Sequence, residues 1–165
     1  MDAWHDLELL IRSRHPLLVV ETWEEERLET ALRTVAARLG LPMHVWTLTG
    51  GLRRPEADHH LYDSKEPLKA LGNLPSLGGD GVWLFKDLHH YLAEPEVART
   101  LRDLARLEPG QRRTIVLVAP DVEPPPSLQK LAVRYHLALP GDLELRHLVH
   151  RVVEDLGKRY PVRVD

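Results

Sequence analysis

Cysteine is absent from this 165-residue chain, so a disulfide framework is excluded. No apolar run approaches the length of a membrane span, and the N-terminus lacks the basic segment of a secretory signal. We therefore expect a cytoplasmic protein that makes no membrane contact. The formal charge of −3 provides no net field that would attract nucleic acid, although 17 arginines outnumber 5 lysines. No nucleic-acid partner is predicted.

Short apolar strands alternate with amphipathic helices over a length that suits one domain. We predict a single domain over residues 1–165, with an N-terminal helix over 2–14, a core over 16–140 and a C-terminal helix over 142–157. Strands are expected at 17–20, 42–48, 81–86, 113–119 and 133–139, with a polar loop over 49–65. This order predicts an α/β fold with a doubly wound, mainly parallel five-stranded sheet flanked by helices.

The C-terminal helix carries apolar residues at helical spacing, which predicts one face packed inward. These residues are Leu145, Leu148, Val149, Val152 and Leu156. With that face buried, no large apolar stripe would be exposed, and the isolated chain should be mostly monomeric.

Asp87 follows an apolar run that starts at Gly81 and ends at Lys86, and it should lie at the carboxyl end of a buried parallel strand. Open α/β sheets bind ligands at this edge. P-loop ATPases place a magnesium ligand there, usually followed by a glutamate that activates water, but the next residue here is Leu88. Asp87 is therefore a candidate for a vestigial Walker-B-like residue. The alternative is a structural carboxylate that caps the next turn or pairs with an arginine.

The turn after the first strand carries acidic residues where a phosphate-binding loop would need glycines. A P-loop wraps phosphate with backbone amides and adds a lysine and a Ser/Thr hydroxyl. Thr22, Trp23, Glu24 and Glu25 stand in place of that loop, with the spacing of a capping box. The carboxylates of Glu24, Glu25 and Glu26 favour a helix N-terminus and disfavour an anion there. The turn predicts a capped helix start without a nucleotide site, and an acidic interaction site is the alternative.

Ten histidines raise the question of a metal site. Adjacent residues such as His89 and His90 should project in different directions, and the His147/His150 pair would need partners from elsewhere. No H-E-x-x-H motif occurs. We therefore predict no metal site, and we assign no catalytic residue.

Arg99, Arg102 and Arg106 share one face of a predicted helix. Such a stripe is usually solvated. A surface for a partner protein, or for the nucleotide of a neighbouring subunit, is the alternative that would give the stripe a function.

Several short motifs, taken in order, resemble the N-terminal domain of a bacterial and plastid-encoded family of AAA-type ATPases. They lie at residues 9–16, 21–22, 24–27, 46, 51–52, 84–92, 99–104, 114–118, 125–126 and 137–140. In that family a degenerate ATPase-like domain precedes an intact AAA module. The resemblance implies a P-loop-NTPase-like fold without a P-loop, in a non-catalytic domain that regulates or assembles an AAA ATPase. It also implies contact with an AAA ATPase module in cis or in trans, and with a client protein. The chain itself would need no cofactor, because Mg-ATP would bind in the downstream module.

A receiver-like signalling domain is the alternative interpretation. Residues 18–25 resemble the acidic start of a receiver, and Asp87 would be the phosphoacceptor. Leu139 counts against this interpretation, because receivers place a lysine before the proline at that position.

Overall fold

The computed structural model describes residues 4–159 of the chain. Its strands are β1 Leu17–Glu21, β2 Met43–Thr47, β3 Gly51–Arg53, β4 Gly81–Lys86, β5 Arg113–Ala119 and β6 Ala132–Tyr135. Its helices are α1 His5–Arg12, α2 Glu25–Leu39, α3 Pro67–Ser76, α4 Pro95–Leu104, α5 Pro126–Gln129 and α6 Asp142–Arg159. A 3-10 turn, Leu88–Tyr91, follows β4.

The strands form one mainly parallel sheet in the order β3-β2-β4-β5-β1-β6. Only β3 runs antiparallel to its neighbour among the described strand pairs. The predicted doubly wound α/β fold is thereby confirmed. The predicted count of five strands is wrong by one, because β3 lies inside the segment that we predicted as a loop over 49–65. Three residues that begin with glycine carry too little apolar alternation to signal a strand.

Successive residues of each strand point to opposite faces of the sheet, so the sheet has two separate cores. On one face, Leu17 and Val19 of β1 join Trp83 and Phe85 of β4 in the cluster that includes residues of α3 and α4. On the other face, Leu18 joins the cluster that includes residues of α1 and α2. Both faces are therefore covered, and the ligand-accessible part of the sheet is its edge.

The register places the ends of three strands at one edge of the sheet. Glu21 at the end of β1 pairs with Ala119, and Lys86 at the end of β4 pairs with Val118. Since β5 separates β1 from β4, their ends lie roughly 10 Å apart. The turn after β1 and the turn after β4 therefore lie at the same carboxyl edge of the sheet.

The strand order contradicts the receiver interpretation. Flavodoxin-like and receiver sheets run 2-1-3-4-5, so the first two strands are neighbours. Here β1 lies between β5 and β6, and β2 pairs with β4. The long gap between β1 and Asp87 is occupied by α2, β2, β3 and α3.

Residues 4–137 form one compact unit, and the described residues from Ala138 onward belong to a second unit. The predicted single domain over residues 1–165 stays a prediction. Within the second unit, the prediction that α6 turns its apolar face inward is wrong. Leu145, Val149, Val152 and Leu156 are 45%, 60%, 56% and 43% exposed, and Leu148 is half-buried. An amphipathic pattern shows that a face suits burial, but it does not show which part of a protein covers it.

Among the described helices, none combines the length and the apolar character that crossing a bilayer requires.

Candidate functional site at the carboxyl edge of the sheet

The turn after β1 contains no free loop in which phosphate could rest. The amide of Thr22 continues the strand pairing by donating to Ala119 O (3.1 Å). The Thr22 hydroxyl Oγ1 accepts a hydrogen bond from the amide of Glu24 (3.0 Å). Helix α2 then begins at Glu25, with Glu24 as N-cap and no side-chain cap. The predicted capping box is wrong, because Thr22 closes a tight turn two residues before the N-cap.

Two carboxylates of this turn are paired with arginines, one from a distant strand and one from the first turn of α2. The Glu21 carboxylate binds the guanidinium of Arg134 on β6 and accepts from the amide of Val122 (3.3 Å). The carboxylate of Glu24 lies 3.0 Å from the guanidinium of Arg27 on α2. These pairs lower the local negative charge below what the sequence alone suggests.

Lys86 at the end of β4 ties that strand to the first turns of α2. Its ammonium Nζ lies 2.9 Å from Glu29 and 3.6 Å from Glu25, and its side chain is 12% exposed. Arg53 of β3 also binds Glu29 at 3.0 Å. Burial raises the pKa of Glu29, but the hydrogen bonds and charges of Lys86 and Arg53 outweigh burial and leave this pKa below its ordinary value. The lysine at this edge is therefore committed to carboxylates and is not placed like a P-loop lysine.

Trp23 lies at the tip of the turn after β1 and is 85% exposed. A bulky indole at this position occupies space where a P-loop would present small residues to phosphate. The turn therefore offers neither the shape nor the donors of a phosphate site.

Asp87 lies at the edge of the sheet, where the sequence predicted it. Its amide donates to Val118 O (3.0 Å), and its backbone adopts a left-handed conformation with φ 60° and ψ 17°. An aspartate tolerates this conformation better than most residues. The following residue, Leu88, is fully buried, so the position of a water-activating glutamate holds a core side chain.

Two histidines of the 3-10 turn lie beside Asp87. Donor atoms of Asp87, His89 and His90 all lie within 4.8 Å of one another. The rings of His89 and His90 have centroids 3.9 Å apart, which contradicts our expectation that adjacent histidines diverge. The left-handed turn at Asp87 and the tight winding of the 3-10 turn bring the three side chains together. Neither feature could be read from residue spacing.

The predicted arginine stripe on α4 is not uniformly exposed. Arg99 is exposed, but its Nε donates to Asp103 at 2.9 Å within the same helix. Arg106 is exposed, whereas Arg102 is half-buried and its buried Nε finds no partner among the described residues. The role of the stripe stays a prediction.

The long-range ion pairs were the part of this edge that sequence reasoning missed. Glu21 and Arg134 are separated by 113 positions, and the partners of Lys86 lie on a helix that precedes β4 by more than forty residues. No periodicity or motif signals such pairs, because only the parallel sheet brings their strands together.

The fold and this edge together define a class of protein. The chain has a P-loop-NTPase-like, doubly wound α/β fold, and its turn after β1 contains no glycine and carries ion-paired carboxylates.

Residues 4–137 match a family whose sequence model is described as the N-terminal domain of SpoVK-like AAA ATPases. The chain belongs to this family, and the resemblance drawn from its motifs is confirmed. It is also similar to proteins that carry the name "uncharacterized AAA domain-containing protein ycf46". The identity is 30% over 159 residues for Guillardia theta, 29% over 160 for Pyropia yezoensis and 27% over 155 for Trieres chinensis.

These matches cover 92–95% of this chain but only 31–32% of the relatives. The chain therefore spans about a third of the length of the curated relatives that it matches.

Proposed function

We propose that residues 4–137 form a non-catalytic domain that regulates or assembles an AAA-family ATPase through protein contacts. The observation that supports this proposal is the turn after β1, where Thr22, Trp23 and Glu24 provide neither the glycines nor the lysine that a phosphate loop needs. Mg-ATP would then be bound and hydrolysed in an AAA module, the kind of domain that the relatives' name records. Such a module could act in cis or in trans, in the cytoplasm, on a client protein.

The first prediction is that this chain neither binds Mg-ATP tightly nor hydrolyses it. The amide of Glu24 is already bound by Thr22, and Lys86 is committed to two carboxylates. Calorimetry should therefore show no dissociation constant below roughly 1 mM, and phosphate release should equal the buffer blank. An ATPase with an intact P-loop, assayed in parallel, provides the positive control.

A micromolar dissociation constant for Mg-ATP, or turnover that is lost on Asp87→Ala, would contradict the assignment of a non-catalytic domain. In the second case Asp87 would be a working magnesium ligand and no longer a vestigial one.

The exposed apolar face of α6 is the surface that we assign to the AAA module. The family match and the compact unit both end at Leu137, so α6 lies outside the N-terminal domain. The relatives nevertheless align over 92–95% of this chain and are about three times longer than it. An AAA module, in cis or in trans, is therefore the partner of known class that we propose to cover α6. This exposed face also removes the reason for expecting a mostly monomeric chain.

The second prediction tests this surface by charge insertion. Val149→Asp combined with Val152→Asp should weaken binding to the AAA portion of the Guillardia theta relative by about tenfold or more, because two carboxylates would be desolvated in the interface. Titration calorimetry on the 165-residue chain measures the effect. Both positions are exposed, so the melting temperature should change little.

Leu143→Asp is the matched control for this experiment. Leu143 is 75% exposed on the same helix, but helical spacing places it on the opposite side from Val149 and Val152. If Leu143→Asp weakened binding equally, or if Arg99→Glu with Arg106→Glu abolished binding while the α6 variant bound normally, α6 would not be the docking surface.

A further inference from the structure

We propose that Asp87, His89 and His90 form a binding site for a divalent transition-metal ion of the zinc class. The proposal rests on the 3-10 turn after β4 and does not depend on an AAA module. It concerns a different ion from the magnesium of a nucleotide site, because its donors are mainly imidazole nitrogens.

The donor geometry suits one ion. The carboxylate and the two imidazoles offer atoms within 4.8 Å of one another. Two donors on a tetrahedral Zn²⁺ lie roughly 3.3–3.5 Å apart, given metal–ligand distances of about 2.0–2.2 Å. Closing the site therefore needs movements on the order of 1 Å. The exposed ring of His90 can supply them by rotating about its side-chain bonds.

A buried donor atom without a partner provides independent support. Nδ1 of His89 is buried and makes no hydrogen bond to any described residue. Buried polar atoms are nearly always satisfied, so an unsatisfied ring nitrogen beside a carboxylate calls for an unseen partner. A metal ion bound at Nδ1 would give this buried nitrogen the partner that it lacks.

The donor set selects the class of ion. Two imidazoles and one carboxylate suit Zn²⁺ and its first-row neighbours, whereas Mg²⁺ prefers an octahedral shell of oxygens. Three protein ligands leave one position of a tetrahedral ion open to water or to a ligand. The site would also pin the end of β4 to the 3-10 turn, whose Leu88 is anchored in the core.

The third prediction is that the metal-stripped 165-residue chain binds Zn²⁺ with a dissociation constant of about 1 μM or lower. His89→Gln combined with His90→Gln, or Asp87→Asn alone, should weaken binding by about tenfold or more. His147→Gln combined with His150→Gln removes two exposed histidines of α6 and should leave binding unchanged. Co²⁺ in place of Zn²⁺ should develop visible d–d absorption that disappears in the His89/His90 variant.

A second measurement does not depend on the folding of any variant. In the unaltered chain, the side-chain nitrogen resonances of His89 and His90 should shift on addition of Zn²⁺ and should not shift with equimolar Mg²⁺. Zn²⁺ binding that survives the His89/His90 variant, binding that is lost only in the His147/His150 control, or shifts produced by Mg²⁺ instead would each overturn the site.

Discussion

Replacing Gly51 by alanine should lower the free energy of unfolding by about 3 kcal/mol. Gly51 opens β3 with a φ of 82°, where a side chain costs about 1 kcal/mol. A Cβ at this position would lie 2.6 Å from Oγ of Ser64 and 3.1 Å from its backbone carbon. Both the backbone conformation and the available space therefore require glycine.

The contact with Ser64 carries most of this expected loss. The hydroxyl of Ser64 accepts a hydrogen bond from the buried amide of Leu52 (2.8 Å) and donates one to Leu61 O (2.7 Å). The carbonyl of Ser64 accepts a hydrogen bond from Nε1 of Trp46 (2.9 Å). Displacing Ser64 leaves buried polar groups unpaired, and each such group costs about 1–3 kcal/mol. Denaturant unfolding followed by circular dichroism measures the change.

Gly40→Ala is the matched control for Gly51→Ala. Gly40 has a similar φ of 64°, but no atom lies within 4 Å of the position of its Cβ. It should cost only about 1 kcal/mol from the backbone. Equal losses for the two variants would show that Ser64 yields easily and that the packing beneath β3 is unimportant.

The free energy of unfolding should also fall by about 2 kcal/mol between pH 7.5 and pH 5, because of His44 on β2. His44 is 2% exposed, stacks on Trp83 with ring centroids 4.2 Å apart, and keeps a buried Nδ1 without a partner among the described residues. Burial, with a smaller contribution from the charge of Arg54, lowers its pKa from 6.5 to about 4, while Glu56 acts in the opposite direction.

The sign of this effect follows from the two protonation states. The unfolded chain binds a proton at His44 near pH 6.5, whereas the folded chain resists protonation until pH 4. Stability is therefore complete above pH 6.5 and is lost progressively as the pH falls toward 4. Carboxylates such as Glu29, whose pKa is lowered, affect stability only below about pH 4.5. The change in stability between pH 7.5 and pH 5 is therefore assigned to His44.

His44→Phe keeps an aromatic ring against Trp83 and removes the titrating group. Its free energy of unfolding should change little over the same pH interval, while His59→Phe, at an exposed histidine, should keep the wild-type dependence. Urea unfolding at a series of pH values provides the comparison. A wild-type slope that persists in His44→Phe would assign the pH dependence to another group.

Local patterns accounted for most of the fold. Two kinds of pattern involve only residues that are close together in the sequence, so they can be read from it directly. They are the apolar runs of β1, β4 and β5 and the helical spacing of apolar residues in α2 and α4. The position of Asp87 at the edge of the sheet followed from the same logic, because a residue after a buried parallel strand must emerge at its carboxyl end. The short strand β3 escaped this logic, since its pairing with β2 depends on Gly51 and Ser64 more than on any apolar alternation.

The sequence by itself determined the doubly wound α/β class, the family and the lack of glycine and lysine in the turn after β1, because these follow from periodicity, ordered motifs and the residues Thr22–Glu25. Only the tertiary structure decided which charges meet at the edge, how His89 and His90 lie beside Asp87, and that the apolar face of α6 is exposed. The physical reason is distance along the chain. Pairs such as Glu21 with Arg134 form only when a crossover sets two strands side by side, and a helix face is covered or left open by residues that its own pattern does not contain.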